Sequence, residues 1–311
     1  MNDSRAATAV AVPAPSRLSL EAKDSLLGIA LIIPSAIFFV ILIAYPLVQA
    51  ILLSLYKIYT PTLSGPYVGF GNYAQLFSER DFWVSLRNNF VWTAATLFLQ
   101  VTVGVAMAMM LHQNLPLRGL ARALVLFPYL IPTVVAVLVW QWLFNDLYGF
   151  LNFFFLGIGL FDRPVDWLGS MPNAFYSIVI VGAWKYFPFV VIAVLARLQT
   201  IPEQLYEAAM IDGASPWQRF WDVTVPQLRG VLVIVILLRS IWDFKEFDLI
   251  FLMTGGGPVI GTQTLPLMVY KQAFPLFQMG MASTVAVAML AIMLVFMFFY
   301  MRTYGRDRGD V

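Results

Sequence analysis

The sequence predicts an all-α membrane protein of six transmembrane helices with both termini cytoplasmic. Three observations carry that prediction. Of the 311 residues, 60% are hydrophobic and only 12% are charged, whereas soluble domains average about 25% charged residues. Six stretches, near 25–55, 88–111, 120–144, 175–197, 228–252 and 281–301, are mainly apolar, and each reaches or exceeds the roughly 20 residues that cross a bilayer. Lys and Arg are also unevenly shared between the flanking segments, which sets orientation. With the N-terminus inside, the inner segments hold Arg5, Arg17, Lys23, Arg118, Arg122, Arg197, Arg219, Arg229, Arg302, Arg306 and Arg308, eleven in all. The outer segments hold five: Lys57, Arg80, Arg87, Arg163 and Lys271.

The same composition excludes several functions. A net charge of +2 gives no reason to expect a nucleic-acid partner. There is no Cys, so disulfides and thiol chemistry are absent, and His112 is the sole histidine. It lies at an inner membrane edge and reads as interfacial, so no metal site is expected. Residues 1–24 are polar and rich in Ala, Pro and Ser, and read as a cytoplasmic tail without fixed structure. The apolar run that follows is too long for a signal-peptide core and stays as an anchor. The expected domains are therefore the tail 1–24, a six-helix transmembrane domain 25–303 and a short tail 304–311.

Taken in order, the first span carries Pro34 and Pro46, which predict a bend or tilt. Residues 72–87 mix aromatics and charges at near-helical spacing and predict a short helix on the outer membrane surface. Pro128 and Pro132 loosen the third span. The outer loop 145–174 has Asp146, Asp162 and Asp166 among Gly and Pro breaks. TGGGP at 254–258 stops a regular helix, so the fifth span must break there.

The inner segment 198–230 reads as a rigid element. Thr200 and Glu203 have capping-box spacing, and Pro202 fits a first helical turn. A short helix follows over Leu205 to Ile211. Gly213 ends it in a left-handed conformation, and Pro216 keeps it from resuming. The expected helix has an acidic side (Glu203, Glu207, Asp212) and an apolar side (Leu205, Ala208, Ala209). Physical reasoning leaves two readings, a docking knob or an ordinary interfacial loop.

Ionisable groups inside spans are costly and mark function by default. On a helix, Arg239, Asp243 and Glu246 share one face of the fifth span with Trp242 beside them. Gly182, Tyr186 and Phe189 share a face of the fourth, and Tyr129, Thr133 and Trp140 a face of the third. These faces would suit the hydroxyls and ring of a sugar. Arg239 and Asp243, four residues apart, either line such a path or pair with each other; the same choice holds for Lys245 and Asp248. Lys185 and Lys245 point away from the chosen faces.

The motifs EAAMIDGAS (Glu207 to Ser215), Phe220 and Val225-Pro226 resemble the signature loop of binding-protein-dependent ABC importer permeases. GFGNYAQLF from Gly69, LFPYLIP from Leu126, AWKYFPF from Ala183, FDLIFLMTGGGP from Phe247 and TQTLPLMVY from Thr262 extend the resemblance to the sugar-importer branch typified by the maltose permease subunits. It covers most of the chain and implies the ABC importer type I permease fold. In that family the loop is a coupling helix docked in a cleft of the ATPase subunit, which implies that role for Glu207, Ala208, Ala209, Asp212 and Gly213. The resemblance also places Tyr129, Thr133, Gly182, Tyr186, Phe189, Arg239, Asp243 and Glu246 around the sugar. This chain departs from the maltose type in the fifth span, which is charged here and amide-rich there, so the sugar's identity stays open.

No Lys is followed by Ser or Thr, so there is no Walker-type phosphate loop. The chain is expected to be non-catalytic, with no cofactor of its own; ATP and Mg belong to partner subunits. The implied partners are two ATP-binding-cassette subunits, a second and different permease, an extracytoplasmic sugar-binding protein and membrane lipid. The implied location is the bacterial or archaeal plasma (inner) membrane. Two other classes remain: a proton-coupled secondary transporter using the buried carboxylates, and a non-transporting membrane scaffold.

Overall fold

The computed structural model describes residues 20–60, 64–113 and 116–304. The chain divides into two compact units, on either side of the junction between Ala50 and Ile51. The N-terminal unit is one helical run. It opens with α1 (Leu20–Phe39), passes through a π-helical turn at Val40–Ala44 and continues into α2 (Tyr45–Leu53). Most of the expected 1–24 tail lies outside the described residues, but Leu20 to Asp24 are already helical. The π-turn lies between Pro34 and Pro46, inside one unbroken run from Leu27 to Leu53.

The second unit is built of α3 (Gly71–Ser78), α4 (Arg80–His112), α5 (Arg118–Leu130), α6 (Thr133–Leu143), α7 (Phe150–Gly157), α8 (Asn173–Leu198), α9 (Glu203–Ile211), α10 (Pro216–Arg219), α11 (Val225–Phe244), α12 (Asp248–Thr254), α13 (Leu265–Ala273) and α14 (Met279–Tyr304). A π-helical turn at Phe220–Thr224 joins α10 to α11. Among the described residues there is no strand, only two isolated bridges, Tyr56 with Tyr67 and Tyr59 with Ser64.

Among the described residues, five helical runs are long and apolar enough to cross a membrane: Leu27–Leu53, Arg80–His112, Asn173–Leu198, Pro216–Phe244 and Met279–Thr303. The third expected span is not one helix. α5 and α6 meet at a bend of 95° across Ile131 and Pro132. Pro132 lacks the N–H that would continue the ladder and holds the residue before it extended; Ile131 has ψ 136°. The 72–87 segment is likewise two elements, because extended Glu79 separates α3 from α4.

The fifth span breaks earlier than TGGGP. Lys245 N–H and Glu246 N–H bond the carbonyls of Trp242 and Asp243, which tightens and ends α11 at Phe244. α12 then carries the chain to Gly255, where the expected second break occurs. The loop beyond is held by the start of α4. Asn88 Nδ2 donates to the carbonyls of Ile260 (3.2 Å), Gly261 (3.0 Å) and Gln263 (3.1 Å). Gln263 Nε2 donates to Ser85 Oγ (3.0 Å), and Lys271 Nζ to Gln263 Oε1 (2.8 Å). Burial holds the Lys271 ammonium below the ordinary lysine pKa, and the Asp81 carboxylate opposes that shift.

α4 and α8 are the central pair. One apolar cluster, around Trp92, Ile178, Leu249 and Ile250, packs them against α12. A second, around Ala108, Val190, Val194 and Leu228, packs their C-terminal halves against α11. A third, around Leu76, Phe82, Leu265 and Val285, joins α3, α4, α13 and α14.

Candidate translocation site and coupling loop

The charged residues of the fifth span meet α8 and α4 at one buried cluster. Arg239 and Asp243 are both buried and form an ion pair through Arg239 Nη2 and Asp243 Oδ1. Gln100 of α4 bridges the pair: its Oε1 accepts from Arg239 Nε (2.8 Å) and its Nε2 donates to Asp243 Oδ1 (3.4 Å). Trp92, also on α4, donates its indole N–H to the Asp243 carbonyl at 3.0 Å. Asp243 Oδ2 is buried without a hydrogen-bond partner. The guanidinium lies over the Tyr186 ring at 4.5 Å and beside Trp242 at 5.6 Å, a cation–π arrangement that favours Arg where water is excluded.

Glu246 joins the cluster by a different route from the one expected. It lies beyond the end of α11, so the helical face 239/243/246 does not exist as such. The chain turns there, and Glu246 Oε2 accepts from the Tyr186 hydroxyl at 3.0 Å, while Oε1 accepts from Leu249 N–H at 3.0 Å and caps α12. The carboxylate thus serves both the site and the second half of the broken span.

The third-span face is also corrected. Tyr129 lies in the last turn of α5 and Thr133 opens α6, so the bend separates Tyr129 from the α6 face that Thr133 shares with Trp140. Trp140 packs edge-on against Trp184 at 5.4 Å. Lys185 reaches this bend: its buried ammonium donates to Ile131 O at 2.6 Å and Pro128 O at 3.4 Å. These carbonyls have lost helical donors, and leaving such a buried carbonyl unpaired costs about 1–3 kcal/mol. Lys185 is a strut for the broken span.

Gly182 belongs to the α4–α8 packing. A Cβ there would stand 2.4 Å from Trp92 Cη2 and 3.3 Å from Thr96 Cγ2, so only glycine allows the indole to lie flat on α8. In this conformation it faces Trp92 rather than open space. Phe189 and Trp242 meet edge-on at 5.1 Å. Tyr129 and Trp242, 38% and 39% exposed, are the most open members of the expected set. Lys245 and Asp248 are both exposed.

The 198–230 loop forms the expected short helix, α9, with a different N-terminal device. Pro202 occupies the cap position without a side-chain bond, and the Thr200 hydroxyl turns back to Arg197 O at 2.8 Å. The capping box lies one element further on. Ser215 accepts from Gln218 N–H at 3.3 Å, and the Gln218 side chain accepts from Ser215 N–H at 2.8 Å. Gly213, with φ +79°, ends α9 as expected; Ala214 N–H closes back on Ala209 O at 2.9 Å, the bond of a Schellman motif. Glu207, Ala208, Asp212 and Gly213 are exposed and Ala209 half-buried. The expected apolar side is not what α9 tucks in: Leu205 and Ala208 face outward, and Tyr206 turns inward to pair with Thr224 Oγ1 at 3.1 Å. Arg197 adds a clamp from α8, donating to Gln227 O and Gln227 Oε1, both at 2.9 Å. α9 is therefore tied to the root of α11, the helix that carries Arg239 and Asp243.

Sequence reasoning missed Trp92, Gln100 and the work of Asn88 and Lys185. A usable signal existed for the amides, since polar residues inside an apolar span bond across helices.

A chain of five long apolar helices and one broken pair, with a capped loop tied to a charged span, has the architecture of a membrane transport permease. The chain belongs to the binding-protein-dependent transport system inner membrane component family, whose pattern matches residues 100–304. It is 34% identical over 291 residues to the trehalose/maltose transport system permease protein of Thermococcus litoralis, covering 94% of this chain and 97% of that one. A sulfoquinovosyl glycerol transport system permease of Agrobacterium fabrum is 31% identical over 284 residues, covering 91% of this chain and 92% of the relative. A chain of a bacterial alginate ABC transporter, solved with alginate pentasaccharide-bound periplasmic protein, shares the fold at TM-score 0.81 and 21% identity, covering 94% and 98% of the two chains.

Proposed function

We propose that the chain is one permease subunit of an ATP-driven carbohydrate importer, forming half of the translocation path. The observation that carries this is the 34% identity, over nearly the whole of both chains, to a trehalose/maltose permease. In this reading it sits in the bacterial or archaeal plasma membrane with both termini cytoplasmic. It pairs there with a second, different permease. An extracytoplasmic binding protein delivers the sugar, and two ATP-binding-cassette subunits hold ATP and magnesium. The chain itself is non-catalytic.

α9 is the coupling helix, presenting Glu207, Ala208, Ala209, Asp212 and Gly213 to an ATPase cleft. Its motion reaches α11 through the Tyr206–Thr224 and Arg197–Gln227 bonds. Tyr129, Thr133, Tyr186, Phe189, Trp242 and Glu246 form this subunit's wall of the path. Arg239 and Asp243 act behind that wall, holding the Tyr186 ring, and Gly182 seats α8 on Trp92. Aromatic faces stack on sugar rings, and Glu246 and the tyrosine hydroxyls offer hydrogen bonds to sugar hydroxyls.

The test is reconstitution with the ATPase subunits, the partner permease and the binding protein, followed by uptake of labelled trehalose, maltose and acidic sugars. ATP-dependent uptake of at least one is expected; failure with all of them overturns the reading. Because the chain has no Cys, single introduced cysteines also test orientation. Asp212→Cys should react only from the cytoplasmic side and Val259→Cys only from the opposite side.

A further inference from the structure

The geometry points to a binding site for one anionic phospholipid, beside the coupling loop, made of a basic head cleft and an adjoining acyl groove. The head cleft, about 740 Å³, lies where the C-terminal ends of α4 and α8 meet α9 and α10. His112, Arg118, Gln199, Tyr206 and Arg219 line it, with Glu203 the only acidic side chain among its lining residues. Arg118 Nε and Arg219 Nε are buried and have no hydrogen-bond partner among the described residues. A guanidinium nitrogen withdrawn from water and left unbonded is costly, and a phosphate oxygen is the acceptor its geometry suits best.

The second half of the site says which phosphate. A separate groove of about 190 Å³ runs along α5 and α8, lined by Leu111, Val125, Leu126, Ile192 and Leu195. Arg122 and Gln199 stand at it as well, and Gln199 lines both cavities. Arg122 lies one turn beyond Arg118 on α5, and its Nε and one terminal nitrogen are buried without a partner. Two arginines at i and i+4 therefore present unbonded guanidinium nitrogens, one to the polar cleft and one to the apolar groove. A soluble phosphate would occupy the cleft and leave the groove empty, whereas a phospholipid offers its phosphate to the cleft, ester oxygens as acceptors for Arg122 and an acyl chain to the apolar wall. Exposed Trp217 and Trp221, 5.7 Å apart on the same segment as Arg219, are the aromatic pair expected at a headgroup layer. Basic pockets between spans on the cytoplasmic side hold anionic headgroups. Bound there, the lipid would brace the α4–α5 turn against α9; this regulatory consequence rests on the coupling reading above, whereas the binding does not.

The test is native mass spectrometry of the purified full transporter, titrated with phosphatidylglycerol or phosphatidylcholine. A retained phosphatidylglycerol adduct is expected, weakened by Arg118→Gln with Arg122→Gln by about fivefold for each arginine. The Arg118→Lys and Arg122→Lys pair, which keeps the charge, should retain most of the binding. Ile192→Trp, a substitution at a half-exposed groove residue that keeps every charge, should weaken the adduct as well and covers the case in which the arginine variant does not fold. Four results would overturn the site: phosphatidylcholine retained equally, unchanged binding in both the Gln and Trp variants, displacement by millimolar glycerol 3-phosphate, or an adduct seen on the permeases alone and lost once the ATPase subunits are present. A transporter that holds phosphatidylglycerol this way but imports no sugar would refute the proposed function and leave the lipid site standing.

Discussion

Removing Arg239 should be among the most damaging single changes in this chain, and removing its partners with it should undo much of that damage. Arg239→Met leaves Asp243 Oδ1 with Gln100 alone at 3.4 Å, while Oδ2 already has no partner. Losing one member of a buried ion pair costs about 3–5 kcal/mol, which for a chain of this size is a fall in Tm on the order of 10 °C. Adding Asp243→Leu removes the stranded carboxylate but leaves both ends of the Gln100 amide unbonded, a residual of about 1–3 kcal/mol. The triple change with Gln100→Leu removes that too and should return to within about 1 kcal/mol of the parent, since apolar replacement of a complete buried pair is often neutral. Thermal unfolding of the purified protein in detergent gives the stabilities, and uptake in proteoliposomes gives the second readout. A triple variant that is stable but does not transport would move Arg239 from the support of the wall to the wall itself. A single Arg239→Met variant within about 1 kcal/mol of the parent would refute the reasoning, because the cluster would then not be dry.

Three further outcomes follow from the same contacts. Gly182→Ala drives a methyl to 2.4 Å from Trp92 Cη2 and should destabilise by about 1–3 kcal/mol in thermal unfolding; a change in sugar preference at unchanged stability would instead make Gly182 a lining residue. Lys185→Met strands the Ile131 carbonyl at the third-span bend and should cost about 1–3 kcal/mol, with faster hydrogen exchange over 128–136 as the local signature. Gly213→Val forces a branched residue to φ +79°, a strain of about 1–2 kcal/mol or more. Tm should fall by only about 3–5 °C, while ATP-dependent uptake and substrate-stimulated ATPase activity are lost together. Unchanged uptake would contradict the coupling role.

How much was legible follows from how local each signal is. Gly213 and TGGGP could be read directly, because a left-handed turn and a helix stop are properties of a few consecutive residues. The capping box at Thr200 and Glu203 was a matching pattern in the wrong place: Thr200 bonds Arg197 O instead, and Ser215 with Gln218, equally well spaced, does the capping. The Pro128 and Pro132 pair was recognised as a weak point, but the 95° bend it permits depends on an ammonium from another helix, which no local window contains. Glu246 sits in the buried cluster although the helical face that pointed to it does not exist. The α11 ladder ends two residues before it, yet Tyr186 draws the carboxylate back to the same site. Trp92 and Gln100 were missed because their partners are more than 130 residues away in sequence.

The charges of the fifth span leave a neutral and an acidic sugar equally open in the sequence, and their pairing argues for the neutral one. Two cations and two anions lie at the core of the cluster: Lys185 and Arg239, Asp243 and Glu246. Arg239 is committed to Asp243 and Gln100, and Lys185 to backbone carbonyls, so neither guanidinium nor ammonium remains to neutralise an anionic substrate. Glu246, half-buried with its oxygens bonded to Tyr186 and Leu249, offers acceptor lone pairs and would repel a carboxylate or sulfonate. The open surface beside it is aromatic, Tyr129 and Trp242. With the Arg239 and Lys185 charges committed, a ring face beside a hydrogen-bond acceptor remains, and we infer from it a preference for a neutral, hydroxyl-rich sugar.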